Sequence, residues 1–210
     1  MLQRVNQFVA FVFLLVSFFT LGRLAFCDEL SLDSFEGEIG DKTVDFGAGS
    51  GSSVQVTSAK DMKQCGEQSL KLTYDLQPSS YMFCARGYGL DVAGAHWEAD
   101  EPQKIEWSQY QGISVAMNGK DLGPVAFDVK DSGGEMWRFM IDNNTQEGWV
   151  TIEIPFSKLT ARDDWQPANA DGNLKLDFPI KSFQFEPKQP GQGTVYFDCV
   201  HLIPNEPSGQ

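Results

Sequence analysis

Val125–Asp142 reads VAFDVKDSGGEMWRFMID, and its reading decides the fold. It forms two β-strands on either side of Ser132-Gly133-Gly134. A three-residue hairpin loop puts its left-handed position last, where a residue without a Cβ fits best, and Gly134 stands there. That register sets Asp131 opposite Glu135. Outward from the loop, Val129 meets Trp137, Phe127 meets Phe139 and Val125 meets Ile141. These pairs share one face because side chains alternate along a strand. The other face carries Asp128 opposite Arg138, with Ala126 and Met140 beyond. A slip of one residue would set Phe127 against Arg138 and Asp128 against Trp137, spoiling both faces. One face is therefore core. The other holds a charge pair that is either a solvated ion pair or part of a binding surface.

The same alternation recurs along the chain. Ser69–Leu76, SLKLTYDL, puts Leu70, Leu72, Tyr74 and Leu76 on one face and Lys71, Thr73 and Asp75 on the other. Further strands are expected at Tyr81–Arg86, Ile113–Met117, Gly148–Phe156, Ser182–Glu186 and Thr194–Ile203. Gly47–Ser53 (GAGSGSS) is a loop, and the long connections Gly87–Pro102 and Leu159–Asp177 carry Tyr88, His96, Trp97 and Trp165. No sustained helical period appears after residue 27. Many short alternating strands with Gly- and Pro-rich turns indicate an all-β, antiparallel β-sandwich of one domain, residues 28–203, followed by a polar tail at 204–210.

The first 27 residues have a charged start, an apolar run over Phe8–Leu21 and a small-x-small end, Ala25-Phe26-Cys27. This is the pattern of a secretory signal peptide, and the run is short for a bilayer span of ~20 residues. Its removal directs the chain to a secreted or periplasmic location; lipidation of Cys27 is a minor alternative. The full chain has 16 basic and 29 acidic residues, a net charge of -13. The leader takes two arginines and no acids, so the mature surface is more negative still. Such a surface repels nucleic acid and anionic membranes. Cys65, Cys84 and Cys199 remain in the exported chain, with Cys65–Cys84 the expected disulfide and the third thiol buried as a small hydrophobe.

Asp33-Ser34-Phe35-Glu36-Gly37, Ser69–Asp75, Tyr110-Gln111-Gly112-Ile113-Ser114, Gly148-Trp149-Val150 leading to Ile154-Pro155-Phe156, and Tyr196-Phe197-Asp198 occur in an order that resembles the family 11 carbohydrate-binding modules. These are galactose-binding-like jelly rolls, related to the complex I intermediate-associated family. The resemblance covers nearly the whole mature chain. It implies a non-catalytic β-sandwich that binds a polysaccharide or oligosaccharide on a concave sheet face, with a structural Ca²⁺. By position, Glu36 and Asp198 would hold that ion, with Asp33 contributing.

Sugar recognition needs aromatic platforms and side chains that hydrogen-bond hydroxyls. The outward strand faces offer Asp128, Arg138, Gln184 and Glu186, with Arg86 beside them. If the hairpin and Ser182–Glu186 share a sheet, these groups converge. Aromatic candidates are Tyr88, Trp97 and Trp165, with Trp107 and Tyr110. Arg162-Asp163-Asp164-Trp165-Gln166 lies in a long loop suited to a rim. Two other readings fit the same fold: a protein-interaction module serving a cell-surface or periplasmic partner, which would show a contiguous apolar patch, and a glycan hydrolase or lyase, which would show facing carboxylates at ~5–10 Å. His96 and His201 read as structural, and no nucleophile, zinc or phosphate-loop motif is present. Asp142-Asn143-Asn144-Thr145 reads as a turn, and Asn143-Asn144-Thr145 as a glycosylation sequon.

Overall fold

The computed structural model describes residues 28–142 and 147–206. The leader with Cys27, the Asn143-Asn144-Thr145 sequon and the last four residues of the tail lie outside the described residues. The strands are β1 (Leu30–Asp33), β2 (Asp45–Ala48), β3 (Ser53–Ala59), β4 (Ser69–Leu76), β5 (Met82–Gly87), β6 (Tyr110–Asn118), β7 (Val125–Lys130), β8 (Met136–Ile141), β9 (Trp149–Pro155), β10 (Thr160–Ala161), β11 (Ser182–Pro187) and β12 (Gly191–Pro204). Two six-stranded antiparallel sheets result. The front sheet runs β10-β8-β7-β11-β5-β2, and the back sheet runs β3-β4-β12-β6-β9 with β1 also on β12. Three single-turn 3-10 helices complete the regular structure among the described residues.

The hairpin holds its expected register, with Val125 on Ile141, Phe127 on Phe139, Asp128 on Arg138 and Val129 on Trp137. Gly134 has φ +89°, the left-handed value the loop requires. β11 then pairs β7, setting Phe183 beside Val129 and Phe185 beside Phe127. Those inward rings meet the back sheet, where Phe185 stacks on Phe197 with centroids 3.7 Å apart. Phe127, Phe183, Phe185, Phe197, Leu70, Leu72, Ile113 and Ile154 are almost fully buried. Burying each such side chain is worth about 1.5–3 kcal/mol, so the alternation seen in the sequence is what closes the sandwich.

Two expectations change. The disulfide joins Cys65 to Cys199, not to Cys84. Cys84 pairs in register with Phe185 and faces the core as a free thiol, while a break in the β12 register near Asp198 brings Cys199 toward the loop carrying Cys65. Arg86 also points inward, because its register partner is the core residue Phe183. It therefore does not join the outward groups it was expected beside. Inside, Arg86 clamps Asp33 with Nε–Oδ2 2.8 Å and Nη2–Oδ1 3.2 Å, and donates to the Thr43 carbonyl.

Candidate functional site: the outer face of the front sheet

One cross-strand row crosses all six strands of the front sheet: Thr160, Arg138, Asp128, Gln184, Ala85 and Asp45. Strands lie about 4.8 Å apart, so this row is roughly 24 Å long, the length of several sugar units. Asp128, Arg138, Gln184 and Glu186, expected to converge, do so here. Arg138 grips Asp128 with two bonds, Nε–Oδ1 2.7 Å and Nη2–Oδ2 2.8 Å, and donates to Glu186 at 2.7 Å and Asp164 at 3.1 Å. Gln184 Nε2 donates to Glu186 at 2.5 Å, and Lys188 to Glu186 at 2.9 Å.

A second arginine completes the array. Arg162 follows the edge strand β10, and its backbone N–H bonds the Met136 carbonyl of β8. Its Nη1 reaches over the sheet to Asp128 and Glu186, both at 2.9 Å, and its Nε and Nη2 hold Asp164. Gln166 fastens the same segment to both the N–H and the C=O of Met136. Three acids and three basic groups are thus interlocked. Burial pushes the Asp128 carboxyl above its ordinary range, against the pull of the Arg138 hydrogen bonds and with the Glu186 charge adding to the rise. Arg162 holds the Asp164 carboxyl well below the usual range despite some burial. Sequence reading placed Arg162 on a rim loop but gave no sign that it bridges two acids, since that contact depends on where β10 docks.

Aromatic surface flanks the array on both sides. Trp165 is 54% exposed and lies 5.5 Å from the Arg162 guanidinium, in cation–π contact. On β5, Phe83 has the outward parity of Ala85, and its ring lies against Gly47, where a Cβ would meet it at 3.0 Å. Tyr81, 58% exposed, sits at the start of that strand. Neither Phe83 nor Tyr81 was a sequence candidate; the pairing of β5 with β11 is what turns them outward. Met140, also outward, is exposed near the β8 end.

Three other candidates lie elsewhere. Trp97 is buried, stacks on the inward ring of Phe183 and gives its N–H to the Asp100 carbonyl. Tyr88 stacks on His96 at 4.2 Å and packs against Trp97. Arg86 is in the core, as above. These residues close the end of the sandwich and do not meet the array.

Of the residues matched to a calcium site, Glu36 and Asp198 lie near one another: burial raises the Asp198 carboxyl against its backbone hydrogen bonds, and the Glu36 charge adds to the rise. Both Asp33 oxygens accept from Arg86, and burial, opposed by that arginine, sets the Asp33 carboxyl at about 6. Glu36 Oε1 accepts the backbone N–H groups of Glu67 and Gln68. Asp198 accepts those of Gln64, Cys65 and Cys199. Gln68 Nε2 donates to the carbonyls of Phe35 and Gly37. Backbone N–H groups thus reach both the Glu36 and the Asp198 carboxylates. The cysteines that flank Asp198 are joined to each other.

Two open hollows lie away from the front face. One, of about 560 Å³, sits on the back sheet among Ser53, Gln55, Thr73, Asp75, Gln192 and Thr194, with no exposed aromatic platform. The other, of about 470 Å³, lies at Trp107, Tyr110, Phe156 and Phe178 and has no carboxylate. Among the described residues, the front face joins ion-paired polar groups to exposed rings.

Fold and site together define a carbohydrate-binding β-sandwich. The profile of the carbohydrate binding domain (family 11) matches residues 25–205, and the chain belongs to that family. The family 11 module of the cellulosomal cellulase Lic26A-Cel5E of Clostridium thermocellum superposes with a TM-score of 0.66 at 23% identity, over 87% of this chain and 98% of that one. The Clostridium thermocellum family 11 module in complex with a β-1,3-1,4-mixed-linked tetrasaccharide gives a TM-score of 0.64 at 24% identity, over 84% and 95%. Endoglucanase H of Acetivibrio thermocellus is 32% identical over 108 residues, which is 47% of this chain and 12% of that protein's length.

Proposed function

We propose that the mature chain is an exported, non-catalytic module that binds a neutral β-glucan chain across the outer face of the front sheet. The carrying observation is the Thr160–Asp45 row with its interlocked Asp128, Arg138, Arg162 and Glu186, flanked by Trp165 on one side and Phe83 and Tyr81 on the other. Rings stack on sugar C–H faces, and fixed, partly exposed charged groups offer oriented donors and acceptors to hydroxyls. The mixed-linked glucan bound by a fold relative makes that polymer the first ligand to try. The disulfide and the acidic surface suit an oxidising, extracytoplasmic compartment. Hydrolysis is disfavoured as the role of the Asp128–Glu186 pair, because the Arg162 guanidinium fills the space between their carboxylates. A contiguous apolar patch, which a protein-docking module would show, is replaced on this face by the ion-paired array.

Affinity electrophoresis and isothermal titration with mixed-linked β-glucan test this reading. Binding by the wild type, weakened by Trp165→Ala with an unchanged melting temperature, supports it. Absence of binding to any β-glucan, or full affinity in Trp165→Ala, overturns it.

A further inference from the structure

The glycine run that starts at Gly47 begins inside an edge strand, where glycine is a poor choice. Gly47 belongs to β2 and Gly49 follows it. The Gly49 N–H bonds the Tyr81 carbonyl at 2.8 Å, so pairing with β5 continues past the end of the strand. Neither glycine has a left-handed φ. The backbone at both positions would therefore accept an alanine. Glycine inside a strand weakens it, through chain entropy and the lack of a side chain to pack. At such a position glycine often marks a close approach by another group.

Two rings make that approach. Phe46 and Ala48 pack against the core, so Gly47 and Gly49 face outward. The register sets Gly47 opposite Phe83. A Cβ on Gly47 would stand 3.0 Å from Phe83 Cε1 and 3.4 Å from Cζ. On Gly49 it would stand 2.9 and 3.0 Å from Tyr81 Cδ1 and Cε1, and 2.7 Å from Ser80 Oγ. Carbon atoms pack at about 3.5–4.0 Å, so each ring rests its edge where a side chain would otherwise be. Tyr81 and Phe83 are two residues apart, hence on one face and ~6.8 Å from each other along the strand. Tyr81 is exposed and Phe83 half-buried, on the outer side of the sheet. The next outward residue of β5 is Ala85, which lies in the row with Gln184 and Asp128. No bulky side chain of β5 stands between the rings and the polar floor.

We propose that Gly47 and Gly49 are positioning residues for the glycan face. By lacking a Cβ they seat Phe83 and Tyr81 low on the sheet, as one stacking platform for neutral sugar rings at the β5 end, opposite Trp165. The inference rests on the function proposed above and assigns a part of that site to residues that touch no sugar. With alanine at position 47 the Phe83 ring has to lift or turn, because the ring and not the paired backbone is the part that can give. A raised ring holds a stacked sugar away from the level of Gln184 and Asp128. Stacking and hydrogen bonding then compete, where the glycine seat lets one sugar chain use both.

A double-mutant cycle read by titration calorimetry with mixed-linked β-glucan, beside thermal melting, tests the seat. Gly47→Ala is expected to bind about three- to tenfold more weakly, the effect of one ring contact, while melting as the wild type does. In a Phe83→Ala background the same change should leave the affinity unaltered, since no ring remains to be displaced. Gly49→Ala with Tyr81→Ala should behave alike. Gly40→Ala, whose Cβ would meet nothing within 4 Å, should match the wild type in both readouts. Full affinity in Gly47→Ala overturns the proposal, whether or not melting changes, and so does an equal loss with and without Phe83. A wild type that binds no β-glucan overturns the function proposed above and this inference with it. Binding that is weakened by Trp165→Ala but kept in Gly47→Ala overturns the seat alone.

Discussion

Arg162 Nη1 donates to Asp128 Oδ2 at 2.9 Å, joining a loop residue to a strand residue 34 positions away. Together with the bonds of the Arg162 backbone and the Gln166 side chain to Met136, this contact docks the 160–166 segment onto the sheet face. Asp128 keeps Arg138 when Arg162 is removed, so its charge stays paired. Arg162→Ala is therefore expected to fold, with a melting temperature lower by a few degrees. Its affinity for mixed-linked glucan should fall by about tenfold or more, as a charge-assisted hydrogen bond is worth about 1.5–3 kcal/mol. Titration calorimetry beside differential scanning fluorimetry reads both effects. Arg138→Ala is the less clean probe, because it strips Asp128 of its bidentate partner and should cost stability as well as binding.

Trp165 gives the clearest separation of binding from folding. More than half of it is exposed, and its ring lies against the Arg162 guanidinium. Trp165→Ala should melt within a degree or two of the wild type and bind glucan about tenfold more weakly, in line with ~0.5–1.5 kcal/mol for a ring contact beyond its area. Trp165→Tyr should recover most of the affinity in the same titration.

The buried Arg86–Asp33 pair predicts a pH-dependent stability. Burial, opposed by Arg86, sets Asp33 at about 6, and without Arg86 it must rise further. A carboxyl whose folded value is raised contributes stability fully present below its unfolded value and lost as pH rises through the folded one. Arg86→Met is thus expected to cost about 3–5 kcal/mol near pH 7. The loss should be smaller near pH 3, below the ordinary carboxyl value of 3.8, where Asp33 is largely protonated in both states. Urea denaturation at the two pH values checks the difference, and adding Asp33→Leu should recover much of the loss at pH 7.

Reduction should destabilise the fold through one bond. Cys65–Cys199 closes a separation of 134 residues, and removing such a link costs about 2–5 kcal/mol. Cys65→Ser should melt as the reduced wild type does. In the native state Cys84 should resist alkylation, since burial in the core pushes its thiol far above the ordinary range.

The strand pattern was legible because it is local. Val125–Asp142 fixes its own register, and that register fixes which face is core. Asp128, Arg138, Gln184 and Glu186 could be placed on one surface because parity is preserved from strand to strand. The differences arise where a strand's faces carry no clear alternation or where loops decide. Tyr81–Arg86 has no alternation that assigns its faces, so its pairing with β11 is what turns Arg86 inward and Phe83 outward. Arg162 depends on how a long loop settles on the front sheet, and no repeat or spacing in the sequence reports that. The disulfide likewise follows from the break in the β12 register, which alternation does not reveal.

A nuclear magnetic resonance titration of the isotope-labelled chain from residue 28 onward with mixed-linked β-glucan tetrasaccharide tests the central claim most directly. Amide shifts are expected to concentrate on β7, β8, β11 and residues 162–166, with the indole N–H of Trp165 among the largest. Shifts concentrated instead at Ser53, Gln55, Thr73 and Gln192 on the back sheet, or no shifts at all, would contradict it.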